Sequence, residues 1–335
     1  MPAPRTDIET FKISSNETPF EPPDSVRRAI EQAAATVHRY PDPFSRRLTG
    51  ALARRFDVNQ EQISLGTGSV AVVGQLIWAA AGAGDSVVYP WRSFEAYPIW
   101  VQMTGARSVQ VPLLADERHD LPSMLKAIDD STRIVFVCNP NNPTGEAVRR
   151  DELTEFIDAV PSDVIVVLDE AYREFISDTD VPDGLDFFHE RNNVVVIRTF
   201  SKAYGLAGLR VGFAIAPEPI AEGMRKTALP FGVSSIAEDA ALAALECEDE
   251  LFERVRHLSQ ERDRVWQALA DQGWDIHPSH ASFVWLRLGE RTQEFAQACD
   301  EVGITIRTFP DEGVRISVAE EQANDRVIDV GKSLA

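Results

Sequence analysis

Four short polar stretches each follow an apolar run directly, and each carries residues able to do chemistry. In TFSKAYGLAGLR (199–210), Ser201 and Lys202 come straight after the run VVVIRTF, and Arg210 follows through a glycine-bearing loop. An amine in that position is able to form a Schiff base. Ser201 and Arg210 suit a phosphate, because the planar guanidinium fork donates two parallel hydrogen bonds to phosphate oxygens. A solvated loop is the other reading of the same stretch. In DEAYREF (169–175), Asp169 closes the run VIVVL. A carboxylate buried there needs a cationic partner, and a protonated pyridine nitrogen would serve. Tyr172 could reach the same ligand with its hydroxyl. The alternative is that Asp169 caps the next helix. In NPNNPTG (139–145), Asn142 is a neutral donor held by Pro143 against a bound ring, or the stretch is only a turn. In GTGS (66–69), the free backbone N–H groups at a helix start, with the Thr67 and Ser69 hydroxyls, make an anion site.

Together these stretches supply an amine nucleophile, a phosphate cradle, a carboxylate for a ring nitrogen and donors for a ring hydroxyl. Those are the requirements of pyridoxal 5'-phosphate. A second pattern competes for the GTGS loop. Gly66, Gly68 and Ala71 match G-x-G-x-x-A, the dinucleotide fingerprint, which expects an acid about 20 residues later at the end of the next strand. Asp85 lies at about that distance but stands before its strand, and the loop does not open a βαβ unit at the start of the chain.

The elements that must position these loops are legible in outline. DSVVYP (85–90), RSVQVPL (107–113), RIVFVC (133–138), VIVVLDE (164–170), NVVVIRTF (193–200) and VGFAIA (211–216) have the character of buried strands. SVAVVGQLIWAAAG (69–82) and RDELTEFIDAV (150–160) have that of helices. Near-continuous apolar strands alternating with helices imply a mostly parallel sheet covered on both faces. Ligands then bind outside the carboxyl ends of the strands. After about residue 230 the pattern changes to a long charged helix (248–273), the strands SFVWLRL (282–288), TIRTF (305–309) and VRISVA (314–319), and two further helices. The expected organisation is an N-terminal arm contributing to a small domain (1–30), a large cofactor domain (31–230) and a small C-terminal domain (231–335).

With 335 residues, 44% of them hydrophobic, the chain can bury a large core. Its formal net charge of −20 argues against nucleic acid or an anionic membrane as partner. A pocket for an anionic substrate must therefore build its positive potential locally from a few arginines and lysines. Cys138, Cys247 and Cys299 form neither a CxxC nor an even set, so neither a disulfide framework nor a metal site is expected. MPAPRTDIETFK lacks the apolar core of a signal peptide, and no run is long enough to span a bilayer. A cytoplasmic location is the expectation.

N-N-P-T-G, D-E-A-Y-x-E-F and S-K-A-x-x-L-A-G-L-R, in this order, resemble the histidinol-phosphate aminotransferase branch of fold-type-I pyridoxal-phosphate enzymes. The likeness runs from SSNETPF to GVRISVA, almost the whole chain. It implies an aspartate-aminotransferase-like α/β fold. That fold has a three-layer large domain with a mainly parallel seven-stranded sheet, a smaller α/β domain, and a homodimer with sites at the subunit interface. By resemblance, Lys202 is the Schiff-base lysine and Asp169 the partner of the pyridine nitrogen. Asn142 and Tyr172 are donors to the ring oxygen. Ser201, Arg210, Gly68 and Ser69 hold the phosphate, Tyr40 reaches the phosphate of the neighbouring subunit, and Phe94 stacks on the ring. Arg315 clamps the substrate α-carboxylate. The activity implied is transamination between an amino acid and a 2-oxo acid such as 2-oxoglutarate.

Departures from the family pattern bear on the amino donor. The stretch Asn16-Glu17-Thr18-Pro19-Phe20 has no tyrosine where the histidinol-phosphate enzymes offer one to the substrate phosphate, and Ser282-Phe283 replaces the usual N-[FY] pair. Losing polar groups is costly for a site that binds a dianion, and an apolar Phe20 favours a flat side chain. These changes look more like the aromatic amino acid (phenylalanine) aminotransferases of the branch, as does WRSFEAYP. Arg307 stands where the histidinol-phosphate enzymes keep an arginine, which leaves that substrate open. Asn16, Phe20, Arg307 and Arg315 are thus the expected substrate contacts.

Overall fold

The computed structural model describes residues 8–335; the first seven residues of the expected arm lie outside it. Strands β1 (Phe11–Lys12), β2 (Ile63–Gly66), β3 (Ser86–Trp91), β4 (Arg107–Pro112), β5 (Thr132–Cys138), β6 (Ile165–Asp169), β7 (Val194–Thr199), β8 (Gly212–Ile215), β9 (Phe283–Arg287), β10 (Ile304–Thr305), β11 (Arg307–Phe309) and β12 (Gly313–Ser317) form three sheets. The seven-stranded sheet has the order β2-β8-β7-β6-β5-β3-β4. Only β8 runs antiparallel to its neighbours. Val and Ile fill β5, β6 and β7 because both faces are covered, and every residue of β7 is buried. One face packs under the helix Ser69–Ala80, through Val72, Val73, Leu76 and Ile77. The other face carries the larger core, with Leu48, Leu52, Phe56, Phe200 and Phe213.

The expected strand TIRTF is divided. Ile304–Thr305 pairs in parallel with Phe11–Lys12, whereas Arg307–Phe309 joins β12 and β9 in an antiparallel sheet. Ile304 and Ile306 both insert into the smaller core, and the chain changes sheet between them. That core also takes Ile13 and Ala323, so the N-terminal arm is part of the same packing unit as the C-terminal strands. The helix Glu248–Asp271 spans both cores. Leu251, Val255 and Leu258 pack into the larger one, Val265 and Leu269 into the smaller. Among the described residues no helix is long and apolar enough to cross a membrane.

The dinucleotide pattern fails in the fold. The strand before Gly66 is the edge strand β2, paired antiparallel with β8, so Gly66, Gly68 and Ala71 do not open a βαβ unit. Asp85 is spent on the Gly82 N–H and the Arg133 guanidinium.

Candidate active site

The carboxyl ends of three adjacent strands deliver the central residues. Asn142 follows β5, Asp169 ends β6, and Ser201-Lys202 follow β7. Phe94 follows β3 on one side, and Gly68-Ser69 follow β2 on the other. The arm residues Ser14 to Glu17 and strands β11 and β12 close the opposite wall. The result is a cleft of about 410 Å³ lined by Asn16, Ser69, Phe94, Asn142, Asp169, Tyr172, Ser201, Lys202, Arg210, Arg307 and Arg315, among others.

The Asn-rich loop divides its labour. Asn139 ties the loop to Val148 through the Val148 N–H at 2.8 Å. Asn141 donates to the Thr144 hydroxyl and the Arg92 carbonyl, and accepts from Ser93. Asn142 alone of the three turns to the cleft, where its Oδ1 accepts from Arg315 Nη1 at 2.5 Å. Arg315 is buried and also donates to the Ser14 carbonyl, yet its Nε has no partner among the described residues. Burial holds its proton less firmly than usual, and an unpaired donor on a buried guanidinium is a place for a carboxylate oxygen.

Asp169 is buried and asymmetrically satisfied. Its Oδ2 accepts from the Tyr97 hydroxyl at 2.7 Å, and its Oδ1 has no partner among the described residues. Burial pushes its carboxyl up to about 6, against the pull of Tyr97 and the Ala171 N–H. A cation at Oδ1 would remove that penalty, so the site fits a protonated ring nitrogen. Tyr97 was not foreseen. It stands one turn after Phe94, stacks on Phe136 with ring centroids 4.5 Å apart, and meets Phe94 edge-on. Its place beside Phe94 was visible in the sequence; its reach to Asp169, 72 positions away, was not.

Lys202 Nζ donates to the carbonyls of Ser15 at 3.0 Å and Asn16 at 3.2 Å. Burial lowers its pKa to about 7, and the nearby Arg315 and Arg210 cations add to the effect. It is therefore an amine that is substantially neutral near neutral pH. Tyr172 accepts from Asn16 Nδ2 at 2.7 Å, and burial raises its hydroxyl to about 12. Asn16 is held in turn by the Ser317 hydroxyl. The arm is thus clamped over Tyr172 and Lys202 by β12.

The anion cradle is built on close approach. A Cβ on Gly68, whose φ is +82°, would lie 2.3 Å from Arg210 Nη2. A Cβ on Gly212 would lie 2.2 Å from the Ser69 nitrogen. Gly212 is a second residue the sequence reading missed; it sits at the start of β8, opposite Gly66 and Thr199. Arg210 takes a left-handed backbone (φ 60°) and donates to Ser201 Oγ at 3.3 Å. Ser201, Arg210, Ser69 and the N-terminus of the helix Ser69–Ala80 therefore converge on one spot, as a phosphate needs.

Two expected residues lie elsewhere. Phe20 is not among the residues lining the cleft. It packs between His257 and Arg254 of the long helix, beside a small second pocket behind Lys202. Tyr40 is 85% exposed and stacks against Phe231, away from the cleft within one subunit. Arg307 does line the cleft, and its Nη2 is bound to Glu95 at 2.7 Å. Among the described residues no cluster of side chains suits a metal ion.

The architecture is that of the aspartate aminotransferase fold. The chain superposes on a mutant aspartate aminotransferase of Thermus thermophilus with a TM-score of 0.84 at 22% identity, over 97% of this chain and 96% of that one. It belongs to the family described as aminotransferase class I and II, whose model matches residues 8–330. This is a family of pyridoxal-phosphate-dependent transaminases. The chain is 59% identical over 322 residues to the aromatic amino acid aminotransferase of Streptomyces coelicolor, covering 96% of this chain and 90% of that protein. It is 53% identical over 327 residues to the protein of the same name from Thermobifida fusca, covering 98% and 91%. A histidinol-phosphate aminotransferase from Sinorhizobium meliloti, solved with pyridoxal-5'-phosphate, matches with a TM-score of 0.88 at 33% identity, over 97% of this chain and 92% of that one.

Proposed function

We propose that this protein transfers the amino group of an aromatic L-amino acid (phenylalanine, tyrosine, and tryptophan as a further candidate) to a 2-oxo acid such as 2-oxoglutarate, with pyridoxal 5'-phosphate as cofactor. The observation that carries the reading is the meeting, in one cleft, of a neutral-leaning amine, a buried carboxylate with one bare oxygen and a glycine-built anion cradle. When bound, the cofactor supplies a ring that accepts the electrons released at the substrate Cα.

The chain's own residues do the rest. Ser69, Ser201, Arg210 and the helix N-terminus beside Gly68 hold a phosphate. Asp169 Oδ1 keeps a ring nitrogen protonated, and Tyr97 holds the carboxylate in place. Asn142 and Tyr172 donate to a ring oxygen, and Phe94 packs on the ring face. Arg315 binds the α-carboxylate and so orients the Cα–H bond. Lys202 Nζ would take the proton from Cα and deliver it to the cofactor carbon, a role suited to an amine with a pKa of about 7. Asn16 and the arm exclude water above Lys202.

The aromatic donor is supported by the names of the curated relatives. Pairing with Glu95 also leaves Arg307 neutralised at the cleft wall. Arg307 also keeps histidinol phosphate in view as the second reading. A homodimer is part of the proposal. It is supported by the exposure of Tyr40, Phe44, Leu229 and Phe231, of which Tyr40 and Phe231 pack together, and by the lack of an obvious role for Tyr40 within one subunit. The test is a panel of amino donors. Phenylalanine is expected to exceed histidinol phosphate in kcat/KM. A preference for histidinol phosphate of about tenfold, ~1.4 kcal/mol, would overturn the aromatic assignment.

A further inference from the structure

Besides Arg210 at the anion cradle, two arginines line the cleft, and one of them is paired with an acid. Arg315 has neutral partners, the Asn142 amide oxygen and the Ser14 carbonyl, and no acid within ion-pair distance among the described residues. Arg307 is bound to Glu95, Nη2 to Oε2 at 2.7 Å, and both side chains line the cleft. The surroundings commit Glu95 to Arg307. Arg92, the other cation of the same loop, is already held by both carboxylate oxygens of Glu312. The Arg92 and Arg307 guanidinium carbons each lie 5.6 Å from the centroid of the Phe309 ring. Apart from Lys202 and the cradle arginine Arg210, the cleft thus offers one cation without a paired acid, Arg315.

We propose that Glu95 is the residue that sets the charge preference of the site: by holding Arg307, it selects against amino donors whose side chain ends in an anion. This rests on the transaminase reading above, in which Arg315 takes the α-carboxylate. A neutral aromatic side chain leaves the Arg307–Glu95 pair intact. A side chain ending in carboxylate or phosphate meets the Glu95 charge and must take Arg307 away from it. Both partners are nearly half exposed, at 48% and 43%. A pair so solvated is weak and exchanges partners, so Glu95 biases the choice among amino donors and still lets a dicarboxylate such as 2-oxoglutarate draw Arg307 away. Glu95 precedes the helix Ala96–Thr104 without capping it through its side chain, so its replacement leaves that helix start unchanged.

The experiment uses the holoenzyme, with two unreactive ligands: glutarate, which carries a second carboxylate, and 3-phenylpropanoate, which does not. Glu95→Gln is expected to shift the ratio of their dissociation constants about tenfold toward glutarate. It should shift the kcat/KM ratio of histidinol phosphate to phenylalanine in the same direction. Glu95→Ala should do the same, which guards against a fault peculiar to the amide. In an Arg307→Gln background the effect of Glu95→Gln should shrink to less than about threefold, because no guanidinium remains to be released. Unmoved ratios in both Glu95 variants would overturn the proposal. So would an effect of equal size without Arg307. If the wild type prefers histidinol phosphate while Glu95→Gln still moves the ratios, the aromatic reading fails and the role of Glu95 stands.

Discussion

Replacing Asp169 by Asn should stabilise the cofactor-free protein while crippling the enzyme. Asp169 is buried, one of its oxygens has no partner among the described residues, and its carboxyl titrates at about 6 in place of the ordinary 3.8. That gap corresponds to about 3 kcal/mol at ~1.36 kcal/mol per pH unit. The direction follows from linkage. The folded protein binds this proton more tightly than the unfolded chain does, so ionising Asp169 costs stability. The cost is nil below about pH 4, grows between the two values, and is complete above about pH 6. A carboxamide keeps the hydrogen bond from Tyr97 and carries no charge at any pH, so it escapes the cost. With an unfolding entropy of about 2.1 cal/mol/K per residue, about 3 kcal/mol raises the melting temperature of the apoprotein by about 4 °C. The assay is calorimetry of both apoproteins at pH 8 and at pH 4.5: Asp169→Asn should melt higher at pH 8, with the difference mostly gone at pH 4.5. Pyridoxal phosphate should stabilise the wild type more than the variant. Turnover of the loaded variant should fall about 10²–10³-fold, the loss typical of one aligned electrostatic partner. A variant apoprotein that melts no higher at pH 8, or whose advantage persists unchanged at pH 4.5, would refute the reasoning.

Two further predictions concern the amine and the cradle. With Lys202 titrating at about 7, the rate at which the apoprotein takes up pyridoxal phosphate should rise with pH and level off above about 7. A rise continuing toward pH 10 would mean an ordinary lysine, and Lys202→Ala should lose the visible absorbance of the bound cofactor. Gly212→Ala places a methyl group 2.2 Å from the Ser69 nitrogen. It should weaken pyridoxal-phosphate affinity by about tenfold or more and cost roughly 1–3 kcal/mol of stability from overpacking. Spectrophotometric titration reads the first and thermal unfolding the second, and wild-type affinity would count against the cradle.

Much of the molecule is legible in its sequence because local chemistry decides it. Strand runs such as RIVFVC and NVVVIRTF are apolar on both faces, so burial on both faces is the state open to them. The loops that follow β5, β6 and β7 carry Asn142, Asp169 and Lys202, and the rule that ligands gather at carboxyl ends brings those three together. The arm was legible as part of the small domain, but the strand it pairs with was not. Phe11–Lys12 pairs with Ile304–Thr305 from the far end of the chain, and no local pattern encodes so distant a pairing.

Other features were decided by tertiary structure alone. The hydroxyl of Tyr97 finds Asp169 because the sheet order puts β3 beside β5 and β5 beside β6. Gly212 matters because an antiparallel strand brings its start against the Ser69 backbone. Phe20 was assigned to the substrate by its place in a motif, but the fold turns its ring toward His257 and Arg254. The pairing of Arg307 with Glu95 joins residues 212 positions apart. Residue type and spacing determine what chemistry is available to this chain. Which groups are buried, paired or left without a partner, as Asp169 Oδ1 and Arg315 Nε are among the described residues, depends on contacts between distant segments.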